Sequence, residues 1–207
     1  MAAKLVLDQL QKTGGALTEL TLPVANATAN QVLKNDGAGA LSWSTPAAGG
    51  NTVKVAYLVD EKPDTTAGGT FTSGSWQHRD LNTSYYDTIG MTFGTNTFIF
   101  PDQVGTYYID WSCPAMTVVG HQSRLYNITS AAVVKHGTSS RTMLNAAYND
   151  AWTVSLSYGS ALVSLSATAT FKIEHQCSTT RATYGLGDNV DFGGVELYTT
   201  VKILQIA

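Results

Sequence analysis

From Val53 to the end of the chain, apolar and polar residues alternate with a period of two, in arm after arm. Tyr107, Ile109, Trp111 and Cys113 alternate with Tyr108, Asp110 and Ser112. Trp152, Val154, Leu156 and Tyr158 alternate with Thr153, Ser155 and Ser157, and Phe171, Ile173, His175 and Cys177 alternate with Lys172, Glu174 and Gln176. In the last arm Val195, Leu197, Thr199, Val201 and Ile203 alternate with Glu196, Tyr198, Thr200 and Lys202. Side chains of a strand point to opposite faces in turn, so this period marks strands with one buried face. Turn residues separate the arms, among them Gly68-Gly69, Gly94-Thr95-Asn96, Pro101-Asp102, Tyr148-Asn149-Asp150 and Gly193-Gly194. No 3.6-residue stripe competes with them. About ten short strands in such a length predict an all-β sandwich or jelly roll.

The phase of each arm names a core face. Trp111 and Leu197 fall on it; Tyr108, Tyr126 and Tyr198 fall on the opposite face. Exposed aromatic sets mark contact surfaces. The sandwich is therefore expected to pack a second time, against copies of itself. Composition points the same way. Only 13% of residues are charged, against roughly 25% in ordinary globular domains, and few ions lose water when such surfaces meet.

The first 52 residues read differently. Leu5-Val6-Leu7-Asp8-Gln9-Leu10-Gln11 is a short apolar segment that breaks at Gly14-Gly15. Val32-Leu33-Lys34 and Leu41-Ser42-Trp43 flank Asn35-Asp36-Gly37-Ala38-Gly39, which predicts a β-hairpin around an Asp-Gly turn. An isolated hairpin is marginal in water. Leu5, Leu7, Leu33, Leu41 and Trp43 are the candidates for holding this part of the chain to a larger surface. Thr45-Pro46-Ala47-Ala48-Gly49-Gly50-Asn51 reads as a linker. The expected organisation is an N-terminal element over 1–46, a linker over 47–52 and a head over 53–207.

Several functions are excluded. Net charge is -3 and there is no Lys/Arg run, so no basic stripe exists to displace counterions from nucleic acid. No segment approaches the ~20 apolar residues of a membrane span, and the N-terminus lacks the pattern of a secretory signal, which predicts synthesis in a cytoplasm. Cys113 and Cys177 form no CxxC motif and read as buried thiols. Neither GxSxG nor SxxK appears, and the carboxylates of a glycosidase pair would have to come from residues that mostly sit in turns, where Asp caps local backbone. The chain is not expected to be an enzyme, and no cofactor is expected. His175 reads as a hydrogen-bonded core histidine. The turn at Asp188–Asp191 could offer oxygens to calcium, but reads as a solvated loop.

Two stretches resemble known proteins. Leu22-Pro23, Asn30-Gln31-Val32-Leu33-Lys34-Asn35-Asp36-Gly37-Ala38-Gly39-Ala40-Leu41-Ser42-Trp43 is similar to an element found in phage fibre and appendage proteins, and residues 5–15 resemble the start of the same proteins. The remainder resembles the complement-type, tumour necrosis factor-like jelly roll. Trp76-Gln77-His78-Arg79-Asp80-Leu81, Gly105-Thr106-Tyr107-Tyr108-Ile109, His121-Gln122-Ser123-Arg124-Leu125-Tyr126, Phe171–Cys177 and Val195–Ile203 carry that likeness. It implies a ten-stranded sandwich and a homotrimer, and it does not imply catalysis. Animal members follow a collagen stalk of Gly-X-Y repeats; this chain has none, so no immune role follows.

Together these expectations describe a trimeric surface fibre or capsid decoration protein of a bacteriophage particle, bound to other virion proteins through residues 1–46. The runner-up is a tail-fibre tip that recognises a host surface glycan or protein; a glycan-degrading appendage ranks last. Ser84-Tyr85-Tyr86-Asp87 and Tyr148–Trp152 are the loop tips where a glycan contact is expected.

Overall fold

The computed structural model describes residues 9–10, 20–46, 53–100, 104–141 and 153–206. All regular structure among them is β. The chain divides into two compact units, residues 1–52 and 53–207.

In the first unit, β1 (Gln9–Leu10) pairs with β2 (Leu20–Thr21), and β3 (Val32–Asn35) pairs with β4 (Leu41–Ser44), all antiparallel. The hairpin β3–β4 turns where the sequence predicts it. Asp36 Oδ1 accepts from the amides of Ala38 and Ala40 at 2.8 and 3.0 Å, and Gly37 takes a positive φ of 88°, a backbone state open to glycine at little cost. These amide bonds also hold the Asp36 carboxyl below its usual range.

The second unit is a jelly-roll sandwich. One sheet has the order β13 (Val154–Leu165), β10 (Gly105–Met116), β15 (Glu196–Gln205), β5 (Val55–Lys62), β7 (Thr83–Asp87). The other has the order β12 (Ala132–Arg141), β11 (Gly120–Asn127), β14 (Ala169–Cys177), β9 (Thr97–Phe100), β8 (Thr92–Gly94), with the short β6 (Gln77–His78) also paired to β14. Every pairing is antiparallel. The chain passes repeatedly from one sheet to the other and returns to lay its last strand beside β5. Pairing between strands so distant in sequence explains why the short strands cannot hold alone.

The inner faces meet as β10 and β14 predict. Tyr107, Ile109, Trp111 and Cys113 from one sheet, and Phe171 and Ile173 from the other, are fully buried. Phe98, Phe100 and Phe171 pack with ring centroids 5.6–6.2 Å apart, and Phe100 reaches Tyr107 across the sandwich at 4.5 Å. Each such side chain contributes ~1.5–3 kcal/mol when fully buried. A smaller cluster of Phe71, Ala115, Val118 and Cys177 closes one end. Both cysteines are free, buried thiols.

A polar seam crosses this core. Trp111 Nε1 donates to Ser123 Oγ at 2.8 Å, Ser123 Oγ shares a 2.7 Å bond with Ser157 Oγ, and Ser157 Oγ donates to the Thr138 carbonyl. His121 and His175 share a 2.8 Å bond, and His121 Nε2 meets Ser155 Oγ at 2.7 Å. Arg79, fully buried, donates from Nε to Thr199 Oγ1 and from Nη2 to the Leu186 carbonyl. Buried polar atoms need such partners. His175 is thus the bonded core histidine that its position on β14 predicts.

The seam overturns one expectation. On β13 the face with Val154, Leu156 and Tyr158 reads as the core face, yet these three are 46%, 38% and 52% exposed, whereas Ser157 is fully buried. The strand presents its hydroxyls inward because Ser123 and His121 bond them there. Gly159 follows in the strand because Trp111 lies against it: a Cβ there would come within 2.0 Å of the indole.

Candidate functional site

The inversion of β13 leaves an apolar stripe on the outer face of the five-stranded sheet. Leu162 stands opposite Tyr108, Tyr108 opposite Leu204, and Leu204 opposite Val55, so one cross-strand row is apolar over four strands. Leu162 is 67% exposed, Tyr108 38% and Leu204 37%. Beyond the exposed Ser160, the side chains of Tyr158, Leu156 and Val154 add further exposed apolar groups along β13. The next row runs Ser160, Asp110, Lys202, Tyr57, Tyr86, with the Lys202 ammonium 5.6 Å from the Tyr57 ring. Between the rows lies a depression of about 420 Å3 lined by Val55, Tyr57, Tyr108, Asp110, Lys202 and Leu204. Exposed apolar side chains grouped in this way cost free energy in water and mark a contact surface.

The residues singled out in the sequence do not gather on this face. Tyr108 lies at its centre. Trp111, behind it, is core. Tyr126 is on the outer face of the other sheet. Tyr198, expected to point outward, is instead buried, and its hydroxyl donates to the Thr66 carbonyl at 2.7 Å. A β-bulge between Leu197 and Thr200 shifts the register of β15 against β5. The shift turns Tyr198 and Thr199 both inward and leaves Leu197, expected in the core, 44% exposed. Gly187 accommodates the buried ring, since a Cβ there would lie 2.2 Å from it. Burial, then the charges of Glu196 and Asp60, push the Tyr198 phenol well up.

In the first unit, Leu33 is exposed, Leu41 and Trp43 are half-buried, and Trp43 Nε1 donates to the Ala25 carbonyl at 2.7 Å. Leu5, Leu7 and the Tyr148–Trp152 tip lie outside the described residues. Tyr85 and Tyr86, expected at a loop tip, lie instead within the strand β7 paired to β5; both are exposed, and the Tyr85 hydroxyl donates to the Glu61 carboxylate.

The outer face of the six-stranded sheet carries charge and aromatic rings together. Arg124 binds Glu174 through Nε at 2.7 Å and Nη2 at 2.6 Å, and Lys172 binds the other carboxylate oxygen at 2.7 Å. The Arg124 guanidinium lies 4.0 Å from the Trp76 ring centre and 5.3 Å from that of Tyr126. Burial tends to raise the Glu174 carboxyl, but the bonds from Lys172 and Arg124 outweigh it and hold it below its usual range. Beside Trp76 a groove of about 530 Å3 opens across β12, β11 and β14. Its members come from four separate segments, so no run of sequence announces it.

Two arrangements have the look of chemistry. Asp64, Asp191 and Glu196 bring carboxylate oxygens within 4.8 Å of one another. Glu196 Oε1 already accepts from the amides of Val190 and Asp191, and Asp64 Oδ1 from that of Gly193, so these acids organise the 188–196 loop. The order Ser155, His121, His175 is that of a nucleophile relay. Burial, followed by the charge of Arg79, pushes the His121 imidazole down to about 4, where it takes too little proton to activate a hydroxyl at neutral pH. The chain of bonds reads as a tie between sheets.

No protein-family model matches the chain, and no curated protein does. Among solved structures, the globular domain of zebrafish complement 1qA is similar to it over 75% of this chain and 98% of that one, at 13% identity and a TM-score of 0.47. Murine APRIL, at pH 8.0, is similar over 75% of this chain and 100% of that one, at 7% identity and a TM-score of 0.45.

Proposed function

We propose that this chain is a structural protein of a bacteriophage particle, a homotrimeric surface fibre or capsid decoration protein whose head is residues 53–207. One observation carries the assembly: the stripe Leu162–Tyr108–Leu204, with Leu156 and Tyr158, faces solvent on a single chain. Obligate interfaces bury thousands of Å2 and are largely apolar, and a stripe on one sheet of each head suits three copies round an axis. The likeness of residues 1–45 to phage appendage elements supports the virion setting. In this reading residues 1–46 engage other virion proteins, and the role of the head is assembly and contact.

Native mass by light scattering tests it. A mass near three times 22.0 kDa supports the trimer; a stable monomer removes it. Particles labelled with antibody to the head then separate capsid from tail. A second reading, a fibre tip that recognises a host glycan, is favoured by the groove beside Trp76.

A further inference from the structure

We propose that the groove beside Trp76 is a saccharide site that takes an acidic sugar. The proposal rests on the contact role of the head and not on its oligomeric state.

Three strands build the floor. Ser139 of β12 stands opposite Gln122 of β11, and Gln122 opposite Gln176 of β14. A hydroxyl and two carboxamides thus lie in one row on the outer face, at the ~4.8 Å spacing of neighbouring strands. That spacing is close to the width of a pyranose ring, whose hydroxyls each need a donor and an acceptor. Carboxamides supply both from one planar group. Gln122 Nε2 donates to the Gly137 carbonyl at 2.9 Å, which fixes that amide in place.

Trp76 makes the wall. Sugars present apolar C–H faces that pack on indole rings, and here the ring is held before any ligand arrives. The Arg124 guanidinium stacks on it at 4.0 Å and is itself anchored twice to Glu174; His136 packs at 5.8 Å. A side chain already fixed pays little ordering entropy on binding. The groove volume of about 530 Å3 lies within the ~300–1,000 Å3 of small-molecule sites.

Charge selects among sugars. Arg141 brings a guanidinium to the groove, and none of the described lining residues is a carboxylate. Guanidinium groups bind carboxylates through paired N–H bonds. A uronic or similarly carboxylated sugar fits, with its ring on Trp76, its hydroxyls on the Gln122–Gln176 row and its carboxylate at Arg141.

Calorimetric titration of the full chain with trigalacturonic acid, and with maltotriose as the neutral counterpart, tests this. Trigalacturonate should bind saturably. Trp76→Ala and Gln176→Ala should each weaken it at least tenfold. Arg141→Gln, a surface change, should remove its preference over maltotriose. The native mass is followed throughout. The proposal is overturned if trigalacturonate does not bind, if the wild type binds maltotriose equally well, or if Gln176→Ala and Arg141→Gln leave the affinity unchanged. A trimer that binds neither sugar overturns the groove alone. A monomer that binds trigalacturonate overturns the assembly reading and leaves the groove standing.

Discussion

Lowering the pH from 7.5 to 5.0 should destabilise the head through two residues. His121 is 5% exposed and His175 fully buried, both between the sheets. Burial first, then the charge of Arg79, hold His121 near 4 against an ordinary 6.5. Burial, Arg79 and then His121 hold His175 well below that value too. A histidine whose folded-state pKa is depressed contributes stability that is full above about 6.5 and is lost as pH falls towards the folded value, because the unfolded chain takes up the proton first. For His121 alone the linkage integral from pH 7.5 to 5.0 comes to about 2 kcal/mol, and His175 acts in the same direction. The carboxylates act in other ways. Glu174, with a lowered carboxyl, loses stability only further down, as pH falls through its usual range. Asp60, raised mainly by burial, works in the opposite sense. Urea titrations at fixed protein concentration across this window measure the effect, and His121→Gln should reduce the slope. An unfolding free energy that is constant to about 0.5 kcal/mol would refute the neutral histidine pair.

Gly159→Ala places a methyl group within 2.0 Å of the Trp111 ring and should cost at least about 2 kcal/mol by urea denaturation; a neutral outcome would mean that the strand moves freely. Leu162→Asp, at a 67% exposed site, should leave the circular dichroism of the head unchanged while light scattering reports a smaller mass; an unaltered trimer would exclude the stripe as its interface. Tyr198→Phe removes the bond to Thr66 and should cost about 1 kcal/mol, read from the same urea curves. The Cys113 and Cys177 thiols, each pushed up to about 11 chiefly by burial, should resist a thiol reagent at pH 8 until urea unfolds the chain; modification of the native protein within minutes would contradict their burial.

Periodicity reveals a strand more readily than it reveals which face is buried. On β10 and β14 the phase is legible because the inward set carries Tyr107, Trp111, Phe171 and Ile173, which no polar partner could displace. On β13 it is not, since Ser155 and Ser157 are drawn inward by His121 and Ser123, residues some 34 positions away in sequence. On β15 a bulge resets the alternation midway, so Val201 and Ile203 are read correctly and Leu197 and Tyr198 are not. The hairpin at 32–44 is legible because its turn is local, set by Asn35, Asp36 and Gly37. The groove beside Trp76 is not, because only the folded sheet brings Gln122, Ser139 and Gln176 into one row.

The seam of hydroxyls, imidazoles and indole N–H between the sheets has a consequence for uniqueness. Two oily faces can slide past each other by a pleat and lose little, because apolar contact has no direction. Trp111 to Ser123, Ser123 to Ser157 and His121 to Ser155 can all be made in a single alignment of the layers, and any other strands buried donors at about 1–3 kcal/mol each. On this view the seam acts as a vernier: it adds modestly to the depth of the native state and greatly to its distance from every misaligned sandwich.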